Sequence, residues 1–253
     1  MAGKFINRFT GRGKVYSKYR PSYPKEILEI LEKKIGFDRS KIVADIGSGT
    51  GLLSKIFLEY GNKVYGVEPN EEMRSFAETD LSSYPNFVSV NGSAENTGLE
   101  EESVDLITAG QALHWFDRVE APREFARILK APAGYVLIVY NEREKEEQGL
   151  MYGYQKMIER YSTSAEVPEI DNEYLSKFFS DSGYEKFFLP NEQLLDYDGL
   201  LGRAASASYL PSEGQVGFEE MKQYLLDLFN KYEQNGIVRM RYSTTMFLGK
   251  IRT

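Results

Sequence analysis

The sequence predicts an α/β protein built on a Rossmann-like, doubly wound, mostly parallel sheet of seven strands. Three observations support this class: short apolar segments alternate with helical ones, a glycine-rich turn follows the first apolar segment, and an acidic residue closes the second. Such alternation is typical of βαβ units, which have right-handed crossovers and strands buried on both faces. We expect a helical lid from the N-terminus and the C-terminal half to cover the sheet.

The first half of the chain carries the alternating pattern. A helix is predicted after Pro24, because apolar side chains recur at helical spacing up to Ile35 and Gly36 suits the position just past a helix end. Strands are then expected at residues 42–46, 63–68, 87–90, 104–109 and 135–140, with helices at 52–60, 70–81 and 120–129 between them.

The rhythm changes after residue 141. Helices are predicted at 150–161, 172–182 and 218–232, and strands at 184–189 and 237–251. The long last helix has an apolar stripe, which indicates packing against a core. We therefore expect a single domain over residues 1–253, with a lid and helix at 1–36, a binding core at 37–141, and a helical cover with sheet-completing strands at 142–253.

Composition excludes several classes of function. The 253 residues are 42% hydrophobic, which is enough for a sizeable core and argues against general disorder. The chain has no cysteine and a single histidine, which excludes disulfide scaffolds, thiolate chemistry and multi-histidine metal centres. A net charge of −7 argues against nucleic acid as a partner. Neither a signal peptide nor a membrane span is predicted, so we expect a cytoplasmic protein.

The turn after the first strand is the strongest candidate for a binding site. Residues 45–51 read DIGSGTG, where a doubly wound sheet places its ligand crevice. Glycines let a backbone bend sharply and approach a ligand closely. A dinucleotide-binding loop needs G-x-G-x-x-G, and here the third glycine comes one residue early. Glu68 closes the second strand, where an acid can accept hydrogen bonds from both ribose hydroxyls. Either feature alone fits a generic turn or a solvated strand end, whereas the two together predict a nucleoside site.

These residues resemble the class I S-adenosylmethionine-dependent methyltransferases. The first motif of that family is similar to residues 43–51, its second-strand acid to Glu68, and its fourth strand to residues 104–107. The resemblance covers residues 15–140 approximately. A narrower similarity, to the small-molecule branch that includes trans-aconitate methyltransferase-like proteins, is carried by residues 16–24, 111–116 and 206–211.

The resemblance implies S-adenosylmethionine as the cofactor, S-adenosylhomocysteine as its product, and no metal. Asp45 and the backbone of the turn would hold the methionine end, and Glu68 the ribose. Ser93 departs from the family pattern, which often has Asp at that position. The other cofactor-binding residues implied by the resemblance are Gly47, Ser48, Gly49, Gly51, Pro69, Met73, Ala94, Glu95 and Gln111.

The reaction implied by the resemblance is methyl transfer to a small-molecule acceptor, with a carboxylate as the favoured acceptor. His114, the single histidine, is predicted either as a general base, because its unperturbed pKa lies near neutrality, or as a hydrogen-bonding wall. The adjacent Trp115 lines the pocket or packs in the core. Arg20 suits a bidentate anchor for a carboxylate of the cofactor or of an acidic substrate, or else lies on the surface. The remaining substrate-binding residues predicted are Tyr16, Tyr19 and Tyr209.

Three alternatives stay open from the sequence. A nicotinamide-dependent (NAD) dehydrogenase shares the sheet and the ribose acid but not the glycine spacing. A non-catalytic nucleoside-binding sensor of the same fold would keep the same site, and cofactor binding without methyl transfer would favour it. A nucleic-acid methyltransferase is favoured by the basic N-terminus and opposed by the acidic composition. The oligomeric state has no signal in the sequence.

Overall fold

A mixed sheet forms the centre of the structure, a computed structural model that describes residues 18–162 and 172–251. Its strands are β1 (Ile42–Ile46), β2 (Lys63–Val67), β3 (Phe87–Val90), β4 (Leu106–Gly110), β5 (Tyr135–Arg143), β6 (Phe179–Leu195) and β7 (Val238–Ile251). The strand order is β3-β2-β1-β4-β5-β7-β6. The first five strands are parallel, and β7 is antiparallel to both β5 and β6. The predicted seven-stranded, mostly parallel sheet is confirmed.

Helices connect and cover the strands. They are α1 (Glu26–Ile35), α2 (Ser54–Tyr60), α3 (Glu71–Asp80), α4 (Glu120–Ile128), α5 (Gly149–Tyr161), α6 (Asn172–Phe178), α7 (Tyr197–Ala205) and α8 (Phe218–Tyr232), with a 3-10 helix at Leu113–Trp115. In α1, Ile27 and Leu31 are buried one turn apart, and Gly36 ends the helix at φ +63°. None of the described helices combines the length and the apolar character that a membrane span requires.

The central strand β1 fixes where the site forms. Val43 packs into the core on one face of the sheet, and Ala44 and Ile46 pack into the core on the other. Parallel pairing sets Asp45 beside Gly66 of β2 and Thr108 of β4. The carboxyl ends of these three strands therefore meet at one edge, where ligands bind in doubly wound sheets.

The second half of the chain builds a cover over that edge. In the antiparallel register Arg143 pairs with Tyr242, so the first residues of β7 run past the end of β5. Helices α5, α7 and α8 pack on this extension through a separate apolar cluster that includes Tyr154, Leu200 and Leu225. This helical layer holds together by side-chain packing rather than by sheet pairing.

Two predicted elements in this half are present with different bounds. The helix expected at 172–182 ends at Phe178, and β6 begins at Phe179 and runs to Leu195 instead of covering 184–189. Pairing with β7 overrides the local preference, because β6 aligns with β7 along most of its length. Helix α7 was not predicted, since Gly199 and Gly202 lower the helix propensity of its segment.

Candidate active site

The glycine turn, defined as residues 47–51, ties the end of β1 to the end of β2. The N–H groups of Gly47 and Ser48 donate to the Val67 carbonyl at 2.8 and 3.1 Å. Gly47, Gly49 and Gly51 have φ values of +66°, +57° and +82°, which favour glycine. A Cβ at Gly47 would lie 2.8 Å from the Cβ of Ala112. The turn therefore needs glycine at residue 47 for both its conformation and its packing.

Glu68 faces the turn from the end of β2. Its Oε2 accepts the Gly49 N–H at 2.9 Å and its Oε1 accepts the Asn70 N–H at 2.8 Å. Burial raises the pKa of Glu68, and the two backbone donors oppose that shift. A carboxylate has about four acceptor positions, so each oxygen keeps capacity for a further donor. Two adjacent hydroxyls of a ribose match that capacity.

Asp45 lies inside the turn. It is 1% exposed and accepts the hydroxyls of Ser54 and Thr108 at 2.6 and 2.9 Å. Burial raises the pKa of Asp45 to about 6, although these two hydrogen bonds act in the opposite direction. In the structure Asp45 thus links β1, α2 and β4 beneath the turn. Direct contact between Asp45 and a methionine end stays a prediction.

Helix α3 begins beside the turn. Asn70 caps it by accepting the Met73 N–H at 3.0 Å. This cap places the buried Met73 methyl group 3.7 Å from where a Gly49 Cβ would lie. Pro69 joins Glu68 to the cap. Glu68, Pro69 and Met73 therefore lie together beside the turn, and their roles toward a cofactor stay predictions.

The predicted adenine side follows β3. Ser93 and Asn96 exchange backbone hydrogen bonds and enclose the buried Ala94. Glu95 accepts the Asp117 N–H at 2.8 Å, which connects this loop to the segment that leads into α4. The roles of Ser93, Ala94 and Glu95 toward adenine stay predictions.

Two hydroxyls in the turn fit a bound polar ligand. Ser48 Oγ and Thr50 Oγ1 are buried, and neither has a hydrogen-bond partner within the described residues. Buried polar atoms in folded proteins nearly always have hydrogen-bond partners, so a bound ligand can supply the partners of these two hydroxyls. Together with the free acceptor capacity of Glu68, this donor and acceptor set fits S-adenosylmethionine.

The substrate side begins at Gln111, the residue after β4. Its φ of +57° is strained for a residue other than glycine, at a cost of about 1–2 kcal/mol. Its N–H donates to the Val139 carbonyl and its side chain to the Asn141 carbonyl, both at 2.9 Å. This conformation starts the 3-10 helix that carries His114 and Trp115. Strain of this kind collects at functional sites.

His114 and Trp115 form an aromatic group with Tyr140. The His114 ring lies 4.4 Å from the Trp115 ring and 6.1 Å from the Tyr140 ring, measured between centroids. Both His114 and Trp115 are half-buried. Burial raises the pKa of the Tyr140 hydroxyl far above its usual range, so Tyr140 stays neutral. Whether His114 acts as a general base or as a hydrogen-bonding wall of the pocket stays open.

The segment before α1 connects this edge to α7. A Cβ at Gly110 would lie 2.6 Å from the Tyr23 hydroxyl, so Tyr23 covers the end of β4. The Arg20 guanidinium donates to the Ser206 carbonyl at 2.9 Å, and the Tyr19 ring packs against Gly202 of α7. Tyr209 accepts a hydrogen bond from Arg143, as described below. Tyr16 lies outside the described residues.

Sequence reasoning missed two arginines on this side. Arg143 ends β5 and donates to the Tyr209 hydroxyl at 3.3 Å. Arg203 is buried on α7 and donates to the Tyr242 hydroxyl at 3.1 Å. Arg143 lies in a run of charged residues, so nothing in its sequence context distinguishes it from its neighbours. Arg203 had a readable signal, because it is the one charged residue between positions 199 and 211.

Within the described ranges, no three His, Asp or Glu side chains come together as a metal site would require.

The comparison with known proteins concerns the same edge of the sheet. The methyltransferase-domain family model matches residues 44–138, which contain the glycine turn, Glu68 and His114. An uncharacterized methyltransferase of Mycobacterium tuberculosis is 36% identical over 130 residues.

Coverage differs among the similar proteins. The mycobacterial match takes in 51% of this chain and 50% of the relative, so the chain spans about half the length of that relative. A Dictyostelium discoideum protein, provisionally named a methyltransferase, is 24% identical over 98% of this chain and 96% of its own length. A solved structure from Anaeromyxobacter dehalogenans, provisionally described as a type II methyltransferase, has a TM-score of 0.71 at 22% identity. It covers 92% of this chain and 98% of the other, which supports the fold.

The family model and the curated relatives agree with the geometry of the turn. Residues 44–138 span β1 to β5, and they contain the three glycines in left-handed conformations and the acid that faces them. Residues 44–138 thus match a methyltransferase domain in sequence and carry the glycine turn and Glu68 in the structure.

Proposed function

We propose that the protein transfers the methyl group of S-adenosylmethionine to a small-molecule acceptor, with a carboxylate as the favoured acceptor. The observation that carries the proposal is the Glu68 carboxylate, fixed by the Gly49 and Asn70 N–H groups with acceptor capacity left on each oxygen. That arrangement suits the two hydroxyls of an adenosine ribose.

Different residues of the site bind different parts of the cofactor. Glu68 holds the ribose, and the turn backbone with the Ser48 and Thr50 hydroxyls faces the methionine end. Ser93, Ala94 and Glu95 border the adenine. When bound, S-adenosylmethionine supplies a methyl group activated by its positively charged sulfur. The chain itself then has to align the acceptor and exclude water.

The acceptor side is the face formed by His114, Trp115 and the segment that carries Tyr19 and Arg20. If the acceptor is a hydroxyl or an amine, His114 takes its proton; if it is a carboxylate, no base is needed and His114 orients it. The similarity to the trans-aconitate methyltransferase-like branch and the net charge of −7 both favour a small molecule over nucleic acid.

Calorimetry with purified protein tests the cofactor. S-adenosylmethionine, S-adenosylhomocysteine and NADH are titrated separately into the wild type, into Glu68→Gln and into Glu71→Gln, an exposed acid three residues further on. We expect the two sulfur nucleosides to bind and NADH not to bind. Glu68→Gln should weaken binding roughly 10- to 100-fold, because the charge of the acceptor is lost and the amide NH2 faces one of the two backbone N–H donors. Glu71→Gln should stay within about twofold of the wild type.

Binding of NADH alone would contradict the proposed cofactor. Equal binding of S-adenosylmethionine by the wild type and Glu68→Gln would contradict the role of Glu68 in holding the ribose. A second assay follows labelled methyl transfer from S-adenosylmethionine to small carboxylic acids, alcohols and amines. Tight cofactor binding without transfer to any of these classes would favour the sensor over the enzyme.

A further inference from the structure

Two asparagines of the sheet fasten the segment that precedes α1. We define the strap as residues 19–24. The Ser22 carbonyl of the strap accepts the side-chain amide of Asn141 on β5 at 3.1 Å and that of Asn191 on β6 at 2.7 Å. These two residues lie 119 and 169 positions from Ser22 in sequence, so the contacts depend on the completed sheet. The strap therefore takes its position from β5 and β6.

Asn141 is the centre of this arrangement. Its Oδ1 accepts the Thr244 hydroxyl at 2.6 Å and the Asn191 amide at 3.2 Å, and its Nδ2 faces the strap. Thr244 is fully buried and lies directly opposite Asn141 in the register of β5 and β7. A carboxamide accepts at its oxygen and donates at its nitrogen, and here both ends have partners. The Asn141 side chain is thus held with its donor toward the strap.

The main chain of Asn141 supports the proposed acceptor side. Its carbonyl accepts the Gln111 side chain at 2.9 Å. Gln111 has a left-handed backbone and leads into the 3-10 helix that carries His114 and Trp115. One residue therefore contacts both the strap and the support of this 3-10 helix.

The strap places Tyr23 over the glycine turn. Tyr23 is buried, and it lines a small cavity together with Asp45, the glycine turn and Gly110. The Ser22 carbonyl belongs to the peptide unit that joins Ser22 to Tyr23. Because a peptide unit is planar, a hydrogen bond that fixes this carbonyl also fixes the direction in which the chain enters Tyr23.

We propose that Asn141 is a positioning residue, which keeps Tyr23 over the glycine turn and thereby slows the release of S-adenosylhomocysteine. This inference rests on the proposed function. The bonds to the Ser22 carbonyl are neutral, and a neutral hydrogen bond contributes only about 1 kcal/mol. The strap can therefore open to admit the cofactor and close again over it, as covering segments of enzymes do.

Surface plasmon resonance on immobilised protein measures how fast S-adenosylhomocysteine associates and dissociates. Asn141→Asp keeps the size of the side chain and an acceptor for Thr244, but it replaces the donor to Ser22 by a charged oxygen. We expect dissociation to become roughly 5- to 50-fold faster, because the bond is lost and two oxygens then face each other. The association rate should change by about threefold at most. Asn191→Asp should act in the same direction.

Asn86→Asp is the matched control. Asn86 is exposed and lies just before β3, and its amide also donates to a backbone carbonyl, that of Gly61, at 3.4 Å. The substitution makes the same change of charge and shape away from the strap. Both rates should stay within about twofold of the wild type. Urea denaturation checks that each variant is folded under the assay conditions.

A double-mutant cycle separates positioning from a general structural effect. Tyr23→Leu removes the ring that covers the turn and should itself speed dissociation. In that background Asn141→Asp should add less than about twofold, because the group that Asn141 positions is gone. A merely structural role of Asn141 would give the same factor in both backgrounds. If the added charge prevents folding, Asn141→Ala takes its place with the same expected result.

The outcomes separate the inference from the proposed function. Equal dissociation rates for Asn141→Asp and Asn86→Asp overturn the inference and leave the proposed function standing. An undiminished effect of Asn141→Asp in the Tyr23→Leu background does the same. Failure of S-adenosylhomocysteine to bind the wild type overturns the proposed function, and the role of Asn141 in cofactor release with it.

Discussion

The glycine turn and a group of basic side chains, which we call the arginine cluster (Arg20, Arg143 and Arg203, with Tyr209), are built in different ways. The turn consists mainly of backbone atoms from one strand-turn-helix unit, with Glu68 supplied by the next strand. The arginine cluster consists of side chains that arrive from four segments between residues 20 and 209. A site made of backbone depends on the absence of side chains, whereas a site made of side chains depends on the packing of the cover that carries them.

The two regions also differ in charge. The acids at the turn, Asp45 and Glu68, each have hydrogen-bond donors within the protein. In the arginine cluster, the buried Arg203 keeps an Nη1 without a hydrogen-bond partner within the described residues. The turn thus pairs its buried acids with donors of the protein, whereas the buried Arg203 has no carboxylate partner among the described residues.

Replacement of Gly47 by alanine should have the largest effect on stability. The new Cβ would meet Ala112 at 2.8 Å in a backbone with φ +66°. Left-handed strain and overpacking together should lower the free energy of unfolding by about 3–5 kcal/mol. Urea denaturation measures it.

Gly36→Ala is the matched control. Gly36 has a φ of +63°, and nothing lies within 4 Å of its missing Cβ. Its substitution should cost about 1–2 kcal/mol, the strain alone. Equal losses at Gly47 and Gly36 would show that close packing against Ala112 contributes nothing to the turn.

Replacement of Asp45 by asparagine should change how stability depends on pH. The folded pKa of Asp45 is about 6, above the ordinary value of an unfolded chain, so the folded protein holds the proton more tightly. This stabilisation is present below pH 4 and is lost as pH rises to 7, by about 3 kcal/mol. Relative to the wild type, Asp45→Asn should gain about that amount between pH 4 and 7, measured by urea denaturation at each pH.

Asp38→Asn serves as a comparison of opposite sign. The Ser40 hydroxyl and N–H lower the pKa of Asp38, so its contribution is present at neutral pH and lost as pH falls. Its variant should lose ground to the wild type as pH rises from 3 to 5. A constant offset between Asp45→Asn and the wild type would mean that Asp45 titrates normally.

The same contrast explains how much the sequence predicts. The turn and Glu68 lie in one βαβ unit, so their contact follows from short-range spacing and a known sheet topology. Arg203 lies on a helix that was not predicted, because its glycines lower the helix propensity of the segment. Strand β6 is longer than predicted because it pairs with β7, and no local sequence pattern indicates that pairing. Local sequence patterns therefore do not predict which residues the cover brings into contact, even where one of them, such as Tyr209, is identified as a candidate.

Replacement of Tyr242 by phenylalanine tests how the cover supports the arginine cluster. Tyr242 is 1% exposed, accepts a hydrogen bond from Arg203 and donates one to Gln193. Loss of the Tyr242 hydroxyl leaves the buried Arg203 and the half-buried Gln193 with fewer partners and should lower the free energy of unfolding by about 2 kcal/mol, measured by urea denaturation. Tyr152→Phe, at an exposed tyrosine of α5, should stay within about 0.5 kcal/mol. Equal effects of the two substitutions would argue that Arg203 does not depend on Tyr242.

Replacement of Ser48 by alanine should have the smallest effect on the free protein and thereby sharpen the contrast. The Ser48 hydroxyl is buried without a partner among the described residues, whereas that of Ser54 donates to Asp45 at 2.6 Å. Removing an unsatisfied hydroxyl should change stability by less than about 0.5 kcal/mol, while Ser54→Ala should cost about 1–3 kcal/mol. If Ser48 instead serves a ligand, Ser48→Ala should weaken S-adenosylhomocysteine binding in calorimetry while leaving the urea midpoint unchanged. A hydroxyl that serves only the ligand affects S-adenosylhomocysteine affinity and leaves the stability of the free protein unchanged. A large loss of stability with unchanged affinity would therefore give Ser48 a purely structural role.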